Sequence, residues 1–312
     1  MRTKGFLAGW VLLLSLSGVL RGQPTFPVNG VVSQRHNHIA FIHATIVKDA
    51  QSQLSDASMI VKDGKIVSLG VGLNIPSDAL VIDCKGKFIY PSFIDLYTDY
   101  GMPVSTRPSS PFNFFASMQL TSNQKGAYGW NQSLKTDVNA SQIFTVDEAK
   151  AKSMRDLGFG TVLTHQRDGI ARGTGTLVTL ANEKENKVMV RERAAAHYSF
   201  NKGSSGQAYP SSMMGMIALL RQTYIDAEWY KTNRDAEGAN LSLQYWNEQQ
   251  ALPQIFEAND KWNALRADRI GDEFGVQYII KGGQNEYQRI SEMQSTRASF
   301  ILPLNFPSAM EV

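Results

Sequence analysis

The chain has 312 residues, of which 43% are hydrophobic and 19% charged, proportions that exclude an intrinsically disordered protein. Its 31 basic and 28 acidic residues leave a formal charge of only +3, which gives no support to a nucleic-acid partner. The single cysteine, Cys84, excludes an intramolecular disulfide and a zinc site built from cysteines.

The first 22 residues have the layout of a secretory signal peptide. Arg2 and Lys4 precede the apolar run Phe6–Leu16, which is too short to span a bilayer comfortably. Removing residues 1–22 takes away three basic residues and no acid, so the remaining chain would carry equal numbers of both. We therefore expect a periplasmic or secreted protein with no membrane span after cleavage. The lack of a second cysteine favours a bacterial periplasm.

Residues 31–90 have the pattern of short strands joined by tight turns. The run Ser58–Val61 is followed by Lys65–Leu69 across Asp63-Gly64. An Asp-Gly pair between two such runs indicates a hairpin, because both central residues of the turn need a positive φ. We predict that residues 31–90 form part of a small N-terminal β-sandwich.

The next stretch, Phe93–Leu96, has the composition of a short buried strand and leads into Tyr97 and Asp99. Residues 102–140 follow, in which prolines interrupt any periodic pattern and aromatic residues are too numerous for a solvated linker. We interpret this segment as a long packed insertion near the mouth of a site.

Helical and strand patterns alternate from residue 145 onward. Thr145 and Glu148 fit a capping box, Gly158 fits a helix C-terminus, and Gly160–Thr164 is a buried strand. Further helices are predicted at 213–229, 260–274 and 286–297, and further strands at 253–258, 276–280 and 299–304. This alternation predicts a parallel α/β fold with about six strands.

Segments 59–70, 81–87 and 87–103 together resemble the start of the amidohydrolase superfamily, of the imidazolonepropionase and dihydroorotase kind. In that family a small β-sandwich leads into a metal-dependent barrel through a proline-containing segment that ends in a His-x-His pair. The resemblance implies an α/β fold, with a small N-terminal β-sandwich followed by a partial β/α TIM-type barrel over residues 91–312. A closed barrel has eight strands, so we expect a longer gene product with a downstream domain.

The metal-binding positions of the family are occupied by other residues here. The His-x-His pair corresponds to Tyr97 and Asp99, and the histidines of strands five and six correspond to Glu257 and Lys281. In the family, one or two divalent ions at these positions activate water and polarise the scissile carbonyl. The resemblance therefore implies a divergent site in which the usual binuclear centre is lost.

Two interpretations of these ionisable residues stay open. A Glu257–Lys281 ion pair would satisfy both groups without any catalytic role. Alternatively, Asp99 and Glu257 are candidate metal ligands, because carboxylates without imidazole suit magnesium, calcium or manganese better than zinc. A divalent metal is thus a family expectation, and the cofactor itself stays unassigned.

His165 and His197 each end an apolar run, which places them at the barrel mouth as acids, bases or substrate contacts. In contrast, His36, His38 and His43 have the pattern of surface or interstrand residues. The predicted catalytic residues are Asp99, His165, Glu257 and Lys281, and the predicted substrate contacts are Tyr97, His197 and Glu286.

Two functions follow from the resemblance. The first is an exported hydrolase that acts on carbon–nitrogen bonds in small or peptide-like molecules through a divergent site. The alternative is a catalytically silent domain that binds a ligand or supports a partner domain. Both have a small molecule as the expected partner, and neither involves nucleic acid.

Overall fold

The computed structural model describes residues 38–106, 119–283 and 285–305. The chain divides into two compact units, Met1–Pro91 and Ser92–Val312. The predicted signal segment 1–22 and His36 lie outside the described residues, as does part of the insertion at 102–140. Within the described ranges, none of the helices has the length and apolar character that crossing a bilayer requires.

The first unit contains a five-stranded sheet. Its strands are β1 His38–Val47, β2 Gln53–Lys62, β3 Lys65–Gly70, β4 Ala79–Asp83 and β5 Phe88–Ile89. β2 and β3 form the predicted antiparallel hairpin, and Asp63 and Gly64 at its turn have φ values of 49° and 74°. β1 pairs with β2 and, in parallel, with β4 and β5. His38 and His43 pair with nearby aspartates.

The second unit is built on a seven-stranded sheet. Its strands are β6 Phe93–Thr98, β7 Phe159–Thr164, β8 Ala171–Thr179, β9 Met189–Ser199, β10 Gln254–Glu257, β11 Ile279–Lys281 and β12 Phe300–Ile301. The strands lie side by side in chain order, so β6 and β12 are the edges. Neighbours are parallel except at β8, which runs antiparallel to both β7 and β9.

This sheet curls into a barrel whose interior receives an apolar side chain from every strand. In strand order these are Tyr97, Leu163, Leu177, Ala195, Ile255, Ile279 and Ile301. The ring of Tyr97 on β6 lies 5.6 Å from the ammonium of Lys281 on β11. In a flat sheet, five strand spacings would separate them by about 24 Å. The contact therefore requires a strongly curved sheet, and the predicted partial β/α barrel is confirmed.

Helices cover the outside of this sheet. They are α1 Ala140–Ile143, α2 Glu148–Asp156, α3 Glu185–Val188, α4 Met213–Glu237, α5 Leu241–Gln249, α6 Lys261–Phe274, a 3₁₀ turn Glu286–Arg289 and α7 Ile290–Thr296. The largest core lies between them and the sheet, where Tyr198 and Phe256 of the strands meet Tyr224 and Trp246 of the helices. Side chains alternate along β9, so Tyr198 faces the helices while its neighbour His197 faces the barrel interior.

Helix α2 begins two residues later than its capping-box pattern predicts. The side chain of Asp147, not Thr145, accepts a hydrogen bond from the Lys150 amide at 3.0 Å and caps the helix. Thr145 instead donates its backbone N–H to the carbonyl of Gly101 at 3.0 Å. The helix is therefore capped by another residue of a type that favours the N-cap, and Thr145 makes a tertiary hydrogen bond instead.

Strand β8 is absent from the predicted alternation of helices and strands. Its glycines allow tight packing: a Cβ added to Gly175 would lie 2.5 Å from Nε2 of His197. Because β8 is antiparallel to its neighbours, its first residues lie beside the carboxyl end of β9, with Ala171 opposite Tyr198. The residue after Ala171 is thereby brought to the mouth of the barrel.

Candidate functional site

Polar side chains gather where the parallel strands of the barrel end. This is the end at which β/α barrels carry their functional residues. The antiparallel strand β8 adds a polar side chain from its first residues, and the loop between β7 and β8 adds others. We call the following residues the mouth cluster: Tyr97, His165, Arg167, Arg172, His197, Glu257 and Lys281.

Glu257 is the centre of the mouth cluster. Its side chain is 7% exposed, and its two carboxylate oxygens have different partners. Oε1 accepts from Nη2 of Arg167 at 2.8 Å, and Oε2 pairs with Nη2 of Arg172 at 2.7 Å. Burial by itself would raise the pKa of Glu257, but the two guanidinium groups together hold that pKa below its ordinary value. The carboxylate therefore stays ionised and fully engaged.

Arg172 joins Glu257 to the opposite side of the barrel. Its side chain is only 3% exposed. Besides its bond to Glu257, it donates from Nη1 to the Tyr97 hydroxyl at 2.7 Å and from Nε to the Gly169 carbonyl at 3.2 Å. Burial raises the pKa of Tyr97, so its phenol remains protonated. All three guanidinium nitrogens are thus used within the protein.

Arg167 and Lys281 are the more accessible cations of the cluster. The side chain of Arg167 is 46% exposed, and its Cζ lies 5.5 Å from the centroid of the Tyr97 ring. Lys281 stands next to Glu257 in the sheet register. Nevertheless, its ammonium forms no ion pair with any described residue and lies over the Tyr97 ring. The expected Glu257–Lys281 ion pair is therefore replaced by the two arginine pairs.

His165 and His197 form a buried stacked pair. Their ring centroids are 3.7 Å apart and their planes differ by 3°. No ring nitrogen of either residue has a hydrogen-bond partner among the described residues. Burial, reinforced by the charge of Arg172, lowers the pKa of His197 to about 3, and burial also lowers the pKa of His165. Both imidazoles are therefore neutral at pH 7 and weak as bases.

Two residues predicted for the site lie outside the mouth cluster. The side chain of Asp99 is 52% exposed and pairs with Lys150 of α2 at 3.2 Å. Glu286 accepts a hydrogen bond from the Gly283 amide at 2.5 Å, within the turn that follows β11. The first is therefore a surface ion pair and the second a loop contact.

Arg167 and Arg172 are the cluster members that the sequence did not single out. Both lie in the glycine-rich run after His165, which carries no phosphate-loop motif. The alternation of small and β-branched residues in Ala171–Thr179 is a strand signal. It does not give the direction of the strand, and only the reversed direction of β8 brings Arg172 to the barrel mouth.

The mouth cluster does not fit the metal ion that the sequence resemblance implies. The carboxylates proposed as ligands are separately occupied, Asp99 by Lys150 and Glu257 by two arginines. The surrounding positive charges would repel a divalent cation. Across the described ranges, no group of three or more His, Cys, Asp or Glu side chains is arranged to hold a metal ion.

No family model matches the chain. Its fold is similar to that of an amidohydrolase from Thermotoga maritima, with a TM-score of 0.65, 18% sequence identity, and coverage of 87% of this chain and 72% of the other. An N-acyl-D-glutamate deacylase from Bordetella bronchiseptica is a more distant neighbour, with a TM-score of 0.39 and 12% identity over 85% of this chain and 57% of that one.

A curated relative is similar over a short stretch only. The deacetylase Atu3266 of Agrobacterium fabrum is 43% identical over 61 residues, which represent 19% of this chain and 15% of that protein. Such a match leaves most of the barrel uncompared. The comparisons therefore support the fold of this chain but do not identify a reaction or a ligand. The chemistry of the site has to be inferred from the residues of the mouth cluster.

Proposed function

Because the chain has the fold of the amidohydrolase superfamily, we propose that its barrel mouth is a ligand-binding site that works without a metal centre. In this proposal the mouth cluster takes the place of the metal ligands and holds a small molecule where related barrels hold their substrates. The protein would then be a catalytically silent binding domain.

The proposal depends on the two ion pairs that Glu257 forms with arginines. This residue occupies a position where the family has a histidine ligand, yet both of its oxygens are bonded to arginines. Moving Glu257 onto a metal ion would leave Arg172 buried and unpaired, which is costly. The two ion pairs therefore stabilise Glu257 without a metal ion, and breaking them would make metal binding unfavourable.

Metal analysis of the purified protein tests the proposal. We expect metal content far below one ion per chain, and no change in melting temperature on addition of zinc, manganese or a chelator. As a matched variant, Glu257→Gln should also bind no metal. Stoichiometric metal that stabilises the native protein and is lost on chelation would contradict the proposal.

Hydrolysis of carbon–nitrogen bonds is the second candidate function. It is supported by the likeness to proteins named as an amidohydrolase and a deacetylase. In this case Lys281 would contact the substrate at the barrel mouth beside Glu257, because His165 is fully buried and Asp99 is paired with Lys150. Assays with N-acetyl amino acids and cyclic amides test it, and turnover that is abolished in Lys281→Gln would favour it over the silent domain.

We also propose that the protein is exported from the cytoplasm. The n-region and apolar run of residues 1–22 support it. Fractionation of expressing cells, with sequencing of the mature N-terminus, tests whether the chain is cleaved near residue 22.

A further inference from the structure

We infer that the mouth cluster selects a ligand that carries a carboxylate, which Arg167 and Lys281 bind beside the ring of Tyr97. This inference rests on the proposed function, because it names the chemical class of the small molecule that the barrel mouth holds. It also accounts for a charge distribution that a neutral ligand or a metal would leave unexplained.

The mouth cluster has an excess of positive charge. Arg167, Arg172 and Lys281 face a single carboxylate, Glu257, so two positive charges are not balanced. Asp99 also influences Arg167 electrostatically, but its own bonded partner is Lys150. Holding unbalanced cations in a partly desolvated site costs free energy. A bound anion would offset that cost.

The unused donors belong to Arg167 and Lys281. Arg167 commits Nη2 to Glu257, while its Nη1 and Nε have no acceptor among the described residues. The ammonium of Lys281 has three N–H donors and no hydrogen bond or ion pair within the described ranges. Guanidinium and ammonium groups are the donors that carboxylate oxygens bind most strongly in proteins, so both groups suit this class of ligand.

The guanidinium of Arg167 is held in place before any ligand arrives, and the ammonium of Lys281 lies near the same aromatic ring. Glu257 anchors Arg167, and the Tyr97 ring lies 5.5 Å from Arg167 and 5.6 Å from Lys281. Arg172 in turn holds the Tyr97 hydroxyl. Such preorganisation lowers the entropy cost of binding. Because Arg167 is about half exposed, the donors can be reached from solvent.

Acid and amide pairs test the inference on the full-length protein. Acetate is compared with acetamide, and N-acetylglycine with N-acetylglycinamide, by melting temperature and titration calorimetry at constant ionic strength in chloride. We expect the acids to raise the melting temperature and the neutral amides to leave it unchanged. Inorganic phosphate forms a separate arm of the experiment.

Charge-removing variants locate the binding groups. Arg167→Gln and Lys281→Gln should each weaken acid binding by about tenfold or more, because each removes one charged donor. Arg221→Gln is the matched control for the first, since Arg221 is exposed and pairs with Glu273 at 2.6 Å. Lys261→Gln is the control for the second, since Lys261 also lies over an aromatic ring, at 6.0 Å. Both controls should bind as the wild type does.

The outcomes separate this inference from the proposed function. Equal binding of acids and amides, no response to any acid, or preference for phosphate would each overturn the carboxylate assignment. Unchanged acid binding in both Arg167→Gln and Lys281→Gln would do the same. All of these results are compatible with a metal-free binding site. The proposed function itself is overturned by stoichiometric stabilising metal, or by turnover of N-acetyl amino acids or cyclic amides that is lost in Lys281→Gln.

Discussion

The imidazoles of His165 and His197 lie face to face, 3.7 Å apart, in the interior of the barrel. They come from the two sides of β8, one just after β7 and the other in β9. Burial prevents either ring from gaining a proton at neutral pH, and Arg172 adds to the penalty. The pair is therefore an uncharged layer beneath the charged groups that surround Glu257.

This burial predicts a loss of stability in acid. The unfolded chain binds a proton at His197 near pH 6.5, whereas the folded chain does so only near pH 3. The stability that His197 contributes is thus complete above about pH 6.5 and decreases as the pH falls from about 6.5 to about 3, by about 1.4 kcal/mol per pH unit. Urea unfolding at pH 7, 5.5 and 4.5 measures it. His197→Phe should show a shallower slope than the wild type, and an equally steep slope would refute the explanation.

Gly175 is expected to tolerate no side chain. An alanine Cβ there would lie 2.5 Å from His197 Nε2 and 3.1 Å from the Thr164 carbonyl. Overpacking of this kind costs about 1–3 kcal/mol, so Gly175→Ala should lower the melting temperature. Gly206→Ala is the control, because its nearest neighbour would be 4.0 Å away. If the two variants melt at the same temperature, the close packing is not present in solution.

Loss of the Glu257 charge should destabilise the second unit strongly. Glu257→Gln leaves Arg172 buried without a carboxylate, a change that typically costs about 3–5 kcal/mol. Glu273→Gln breaks an exposed pair with Arg221, for which about 0–1 kcal/mol is expected. Free energies of unfolding in urea measure both. A similar small loss in the two variants would show that the Glu257 network contributes little.

The apolar run at the N-terminus is expected to direct export. Leu13→Arg places a charge in the middle of that run and should keep the protein in the cytoplasm, because the h-region of a signal peptide must be apolar. Immunoblots of cytoplasmic and periplasmic fractions provide the measurement. Lys48→Arg, which keeps the charge outside the run, is the control. Equal export of Leu13→Arg and the wild type would argue against a signal peptide.

Several local features followed from the sequence because they depend on residues close together in the chain. The Asp63-Gly64 turn is one, and Gly158 at the end of α2, with a φ of 94°, is another. The parallel strands of the barrel were also recognisable from their apolar runs, whereas the antiparallel strand β8 was not. Their ends placed Tyr97, His165, His197, Glu257 and Lys281 at one mouth, since parallel strands end at the same edge of the sheet.

What the sequence by itself determined was therefore the type of fold and the set of polar residues at the strand ends. Which of them touch was decided only by the tertiary structure. Arg172 reaches Tyr97 and Glu257 because β8 is reversed and the sheet is curved, and both properties depend on pairing between distant residues. Asp99 lies one residue past β6, where its side chain meets Lys150 of α2 instead of the cluster. Such choices are made by packing across the barrel, and no local pattern records them.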